Sequence, residues 1–149
     1  MPNSGAVTDL TPLAGLSSLS SLDMSDCKGI SDLTPISGLS SLRKLSLRNC
    51  ENVSELTPLS KLCALSSLDF SECAKVRDLT PLSYGLMSLS CLFLNSCQGV
   101  TDLTPLSGLT ALTTLDTENC ENVGSRLPLL FLPMFEPALK LLLEKMEGG

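Results

Sequence analysis

Seven cysteines and no histidine set the terms of any chemistry this chain could perform. Five of the thiols, Cys27, Cys50, Cys73, Cys97 and Cys120, recur at 23 or 24 residues, while Cys63 and Cys91 fall elsewhere. A metal reading of that column lacks support, because no CxxC pair and no imidazole stand beside it to complete a tetrahedral set. Disulfides between successive members would need side chains aimed at one another, whereas a repeated column aims them in parallel. What remains is a ladder of buried thiols, each a small apolar filler and a weak donor to nearby backbone. Cys91 is expected to face outward instead, which makes it the thiol to test for reactivity. A serine or cysteine nucleophile would have no histidine base. The carboxylates form a second column, Asp9, Asp32, Glu55, Asp78 and Asp102. A residue repeated in every unit caps a turn more readily than it performs a single reaction. No glycine-rich phosphate loop is present. The expectation is a protein without catalysis and without a cofactor or metal.

Both columns belong to one unit written five times, with starts separated by 23, 23, 23 and 24 residues. Each copy runs from an acid through Leu-Thr-Pro-Leu or Leu-Thr-Pro-Ile to a Leu-x-x-Leu-x-Leu-x-x-Cys segment, with small departures from this pattern. Self-similarity at this period indicates a stacked solenoid. The segment around Leu19–Met24 alternates apolar and polar residues as a short half-buried strand does, with counterparts around Leu45, Leu68, Leu92 and Leu115. Strands one repeat apart must pair in parallel, with the chain crossing back behind the sheet. That return carries Thr-Pro, which reads as a Thr N-cap followed by proline at the first position of a single helical or 3₁₀ turn. Leu10, Leu13, Leu16, Leu19, Leu22, Met24 and Ile30 are then expected to point inward, as are their equivalents in each coil. The chain divides into a frayed lead-in over residues 1–8, five repeats over 9–124, and a degenerate repeat with a helical C-terminal cap over 125–149. No amphipathic segment precedes the first repeat. Its apolar edge is therefore expected either to continue a longer array or to be buried by self-association.

The spacing Leu42-x-x-Leu45-x-Leu47-x-x-Cys50 resembles the leucine-rich-repeat signature, with cysteine where asparagine is commoner. The acid-Leu-Thr-Pro-Leu-Ser-Gly-Leu return resembles internalin-type repeats. The linkers Cys27-Lys28-Gly29-Ile30-Ser31-Asp32 and Cys97-Gln98-Gly99-Val100-Thr101-Asp102 are similar to those of trypanosomatid leucine-rich-repeat proteins. The resemblance covers roughly residues 9–124. It implies an α/β solenoid: a right-handed leucine-rich-repeat superhelix with a concave parallel sheet and short turns on the convex side, used to hold another macromolecule. Two departures stand out. Tyr84 is an extra residue in the fourth return, expected to bulge outward without disturbing its strand, and Thr117 replaces an inward apolar residue.

Function then falls to strand residues that alternate away from the core. Arg43, Lys44 and Arg48 form a basic stripe between acidic strands, and Phe93 is the sole aromatic on the face. With Asp69, Asn95 and Asp116 they make the candidate partner-binding set, since arginine and aromatic side chains are frequent hot spots. The bland alternative pairs Arg48 with Asp23 or Asp69 and leaves Phe93 a scattered exposed apolar. A net charge of −6 argues against nucleic acid as the partner and for a protein. Three prolines, Glu136 and Lys140 interrupt the apolar tail, so no membrane span is expected. An odd number of cysteines and the polar N-terminal residues point to a reducing, cytoplasmic setting. The alternative to a binding module is a structural scaffold, or a piece of a longer array, with no dedicated ligand.

Overall fold

A computed structural model describes residues 6–123. Five three-residue strands, β1 (Ser21–Asp23), β2 (Lys44–Ser46), β3 (Ser67–Asp69), β4 (Cys91–Phe93) and β5 (Thr114–Asp116), form one parallel sheet in sequence order. The register is set by the repeat: Leu22, Leu45, Leu68, Leu92 and Leu115 lie side by side across the sheet. The shift of 24 residues between β3 and β4 leaves that row intact, so the extra Tyr84 is absorbed in the return, where it is exposed. The C-terminal cap expected over 125–149 lies outside the described residues.

Every return makes a 3₁₀ turn with proline in its opening positions: Thr11–Leu13, Thr34–Ile36, Thr57–Lys61, Thr80–Ser83 and Thr104–Gly108. The cap differs from the expectation. Thr is the first residue of the turn, the preceding leucine is the N-cap, and that leucine has no side chain able to cap. The recurring acid does the work from one residue further out. A carboxylate oxygen of Asp9, Asp32, Glu55, Asp78 and Asp102 accepts the backbone N–H of the threonine two residues on, each at 2.8 Å. Hydrogen bonds from the threonine hydroxyl and N–H hold all five carboxyls below their ordinary pKa.

The core is a stack of leucine rows. Leu33, Ile36, Leu39, Leu42, Leu45, Leu47 and Val53 are all at most 2% exposed, and the third and fourth coils repeat this. A fully buried leucine contributes about 1.5–3 kcal/mol, which a coil collects only when neighbours cover both its sides. The first coil shows the converse: Leu13, Leu19 and Leu22 are only partly buried and Leu16 is 47% exposed, against the inward expectation. Nothing stacks on them among the described residues. Thr117, at the other end, is partly exposed.

The cysteines form the expected ladder. The Sγ of Cys50, Cys73, Cys97 and Cys120 lies 2.8–3.1 Å from the carbonyl oxygens of Met24, Leu47, Phe70 and Leu94, each in the preceding coil. Those carbonyls already accept the N–H of the cysteine in their own coil, so the thiol occupies a second lone pair. All seven cysteines are free. Burial pushes Cys50 up to about 11 and Cys73 and Cys97 up to about 12, which keeps the donating proton in place. Just before each thiol stands a residue with left-handed backbone: Asp26, Asn49, Glu72, Ser96 and Asn119, with φ between 57 and 65°. Aspartate and asparagine tolerate this region best. The bend aims the N–H of Asp26, Asn49, Glu72 and Ser96 at a carbonyl of the next coil, at 2.7–2.8 Å, which offsets the strain.

Candidate partner-binding face

The strand face is ruled in rows by the register. One row reads Ser21, Lys44, Ser67, Cys91, Thr114, and the next reads Asp23, Ser46, Asp69, Phe93, Asp116. Ahead of them runs a row in which the Ser66, Ser90 and Thr113 hydroxyls each donate to the carbonyl one coil back, on Arg43, Ser66 and Ser90, at 3.0–3.2 Å. Arg43 interrupts that hydroxyl line. Its N–H still donates to the Ser20 carbonyl at 2.8 Å, as does that of Lys44 at 3.1 Å, while both side chains stand exposed.

The basic stripe is thereby split in two. Arg48 donates from Nε and Nη2 to Glu72 Oε1 at 3.1 and 2.7 Å, rather than to Asp23 or Asp69. Glu72 is the left-handed residue of the third coil, and that bend carries its side chain out of strand alternation towards Arg48. The pair is exposed and contributes little to stability. Lys28 is tied to Glu51 at 2.6 Å. Arg43 and Lys44 make no side-chain hydrogen bond or ion pair with the described residues, and on the strand face they are the cations left with unused charge.

The acidic members are more constrained. Asp69 Oδ1 accepts the Ser71 N–H at 2.8 Å, Ser71 Oγ donates to Asn95 Oδ1 at 2.8 Å, and Asn95 Nδ2 donates to Asp116 Oδ2 at 2.9 Å. Ser71, in the middle of this string, is only 7% exposed. Asp116 Oδ1 also accepts the Glu118 N–H at 3.0 Å. Asp69, Asn95 and Asp116 thus form one polar strip across β3 to β5, with the half-buried Phe93 ring set between the two aspartates in register. At the first coil, Asp23 Oδ1 accepts from the Ser25 hydroxyl at 2.6 Å and N–H at 2.9 Å, which lowers its pKa. The face therefore brings together two free cations, one aromatic ring and a pre-ordered polar strip.

Among the described residues there is no group of three or more His, Cys, Asp or Glu placed to hold a metal ion, and no helix long and apolar enough to cross a membrane.

A family model described as Zer-1-like leucine-rich repeats matches residues 10–78. Among solved structures the chain is similar to an internalin, InlF, from Listeria monocytogenes, with 26% identity and a TM-score of 0.53. That alignment covers 75% of this chain and 38% of the internalin, so the chain spans well under half of that relative. It is similar also to TLR13, solved in a complex with ssRNA13, with 22% identity, a TM-score of 0.50, and coverage of 69% of this chain and 16% of that one. This second likeness concerns the fold alone. No curated protein matches.

Proposed function

We propose that this chain is a leucine-rich-repeat module that holds a protein partner against its strand face, with acidic groups of the partner meeting Arg43 and Lys44. Leucine-rich repeats serve generally as protein-interaction modules. The single observation that supports this placement is the unspent charge of Arg43 and Lys44, beside Arg48, which Glu72 already neutralises. Phe93 and the strip of Asp69, Asn95 and Asp116 lie on the next strands and supply an apolar contact and fixed hydrogen-bonding groups. The strip is held by its own hydrogen bonds, so little side-chain entropy is lost there when a partner settles on it.

A nucleic acid is the less favoured ligand, because Asp23, Asp69, Asp116, Glu72 and Glu118 line the same face and oppose a phosphate backbone. A pull-down with immobilised chain separates the readings. The triple variant Arg43→Ala, Lys44→Ala, Phe93→Ala should retain the wild-type melting temperature and lose at least tenfold in capture of the partner. Capture by the wild type should weaken as salt rises. Equal capture by the two proteins refutes the placement, and preferential retention of single-stranded RNA over protein refutes the partner class.

A further inference from the structure

Phe93 is the one apolar side chain in a row otherwise made of acids and a serine. Across the sheet that row reads Asp23, Ser46, Asp69, Phe93, Asp116, so the strand on either side of the ring sets an aspartate in register with it. The backbones there are about 4.8 Å apart. Cys91 precedes Phe93 and Asn95 follows it on the same face, and no cation adjoins it in register. Arg48, two strands away, is bound to Glu72. Phe93, Asp69 and Asp116 are all half-buried.

Both carboxylates are held in place. Asp69 Oδ1 accepts the Ser71 N–H at 2.8 Å, and Asp116 Oδ1 accepts that of Glu118 at 3.0 Å. Asp116 Oδ2 is taken up by Asn95 Nδ2 at 2.9 Å, whereas Asp69 Oδ2 makes no hydrogen bond or ion pair with the described residues. Two fixed negative charges therefore border the ring. An apolar group laid on Phe93 would draw them out of water with no counter-charge, which is costly. A cation laid there is attracted by the ring and by both carboxylates at once. Guanidinium suits the place better than ammonium. It is flat enough to stack on the ring, its edge N–H groups point sideways to the flanking oxygens, and its methylene stem covers the apolar surface.

We propose that Phe93, Asp69 and Asp116 form the seat for an arginine side chain of the protein partner. This deepens the partner reading above and rests on it for the partner being a protein. The strand face then has two signs. Arg43 and Lys44, at β2, take an acid, and the seat across β3 to β5 takes an arginine. From Lys44 to Phe93 is two strand spacings across and two residues along, about 12 Å. A partner segment that fits both presents an acidic and an arginine side chain about that far apart on one side. Opposite charges at its two ends also fix the direction in which it lies.

Titration of the full chain, followed through its amide signals by NMR, tests the seat. The probe is N-acetyl-arginine amide, which has no carboxylate to meet Arg43 or Lys44; N-acetyl-citrulline amide has nearly the same shape and no charge. The arginine probe should shift the signals of residues 91–95, Asp69 and Asp116 saturably, and less so as salt rises. The citrulline probe should leave them in place. Phe93→Leu keeps apolar bulk and removes the ring, and should weaken arginine binding about two- to fivefold. Asp69→Asn keeps an oxygen for the Ser71 N–H and should weaken it by about the same factor. Arginine and citrulline acting alike, shifts centred away from β3 to β5, or undiminished binding by Phe93→Leu each overturn the seat. None of these results touches the reading of Arg43 and Lys44, because the probe carries no group that engages them.

Discussion

The insertion of Tyr84 makes one glycine indispensable, and the consequence can be worked from the coordinates. A Cβ placed on Gly85 would lie 1.7 Å from the carbonyl oxygen of Ser60 and 2.8 Å from its carbonyl carbon. Ordinary contact begins near 3.4 Å, so the third and fourth returns would have to part by roughly 1.7 Å. The obstacle is backbone, and it is held from below: Ser60 Oγ donates to the Thr57 carbonyl at 2.7 Å, and Leu59 and Leu62 on either side are fully buried. Forcing one methyl group into a packed site costs about 1–3 kcal/mol, and with a carbonyl as the obstacle Gly85→Ala should reach the upper end, about 3 kcal/mol. Gly38 and Gly108 occupy the same place in their own returns, and a Cβ on either meets nothing within 4 Å. There the same substitution removes freedom from the unfolded chain and should be neutral or stabilising by about 0.4–1 kcal/mol. Urea unfolding followed by far-ultraviolet circular dichroism gives the three values side by side. Deleting Tyr84 restores the Leu-Ser-Gly-Leu spacing, and in that background alanine at position 85 should be tolerated as it is at Gly38. Equal stability of Gly85→Ala and Gly38→Ala would refute the packing account, as would a penalty that survives removal of Tyr84.

Two further outcomes follow from the columns. The five capping carboxyls have folded pKa values below their ordinary ones, so the stability they confer is present above about pH 4 and lost as pH falls through the depressed values. Melting temperature should therefore be flat from pH 7 to about 5 and fall steeply below about 4, and Asp32→Asn with Asp78→Asn should make that descent shallower; a descent of unchanged slope would remove the caps from the account. The ladder thiols are neutral and covered, so a thiol reagent near neutral pH should label Cys63 rapidly, Cys91 more slowly, and Cys50, Cys73 and Cys97 only on unfolding. Mass mapping reads this directly, and prompt modification of Cys73 in the folded chain would contradict its burial.

Much of the scaffold was legible because its residues recur. A leucine at one phase of a 23-residue unit must lie beside its copies, and proline three positions beyond an acid marks each return. The cap was harder to assign, since acid and threonine both cap and stand two residues apart. The backbone settles it by making threonine the first residue of the turn, which leaves the acid to accept its N–H. Strand alternation likewise put Arg48 opposite residues of β1 and β3, but Glu72 has left the strand through a positive φ and arrives from outside the alternation. Periodicity also carries no knowledge of ends, which is why Leu16 matches the inward pattern and is half exposed all the same.

The same separation of columns bears on how the strand face can act. The groups that fix the stack are main-chain carbonyls, thiols and inward leucines, all supplied by positions that repeat. The candidate recognition residues engage the stack mainly through their backbone: the Arg43 carbonyl accepts the Ser66 hydroxyl and its N–H reaches Ser20 whatever side chain it carries. Exchanging Arg43 and Lys44 therefore alters the charge offered to a partner while leaving the hydrogen bonds between coils in place. Asp69, Asn95 and Asp116 differ, because their side chains are tied into the structure: Asp69 accepts the Ser71 N–H, and Asn95 links the Ser71 hydroxyl to Asp116. A change at Asn95 would alter recognition and local order together, so the cations are the positions at which loss of binding can be read as loss of contact.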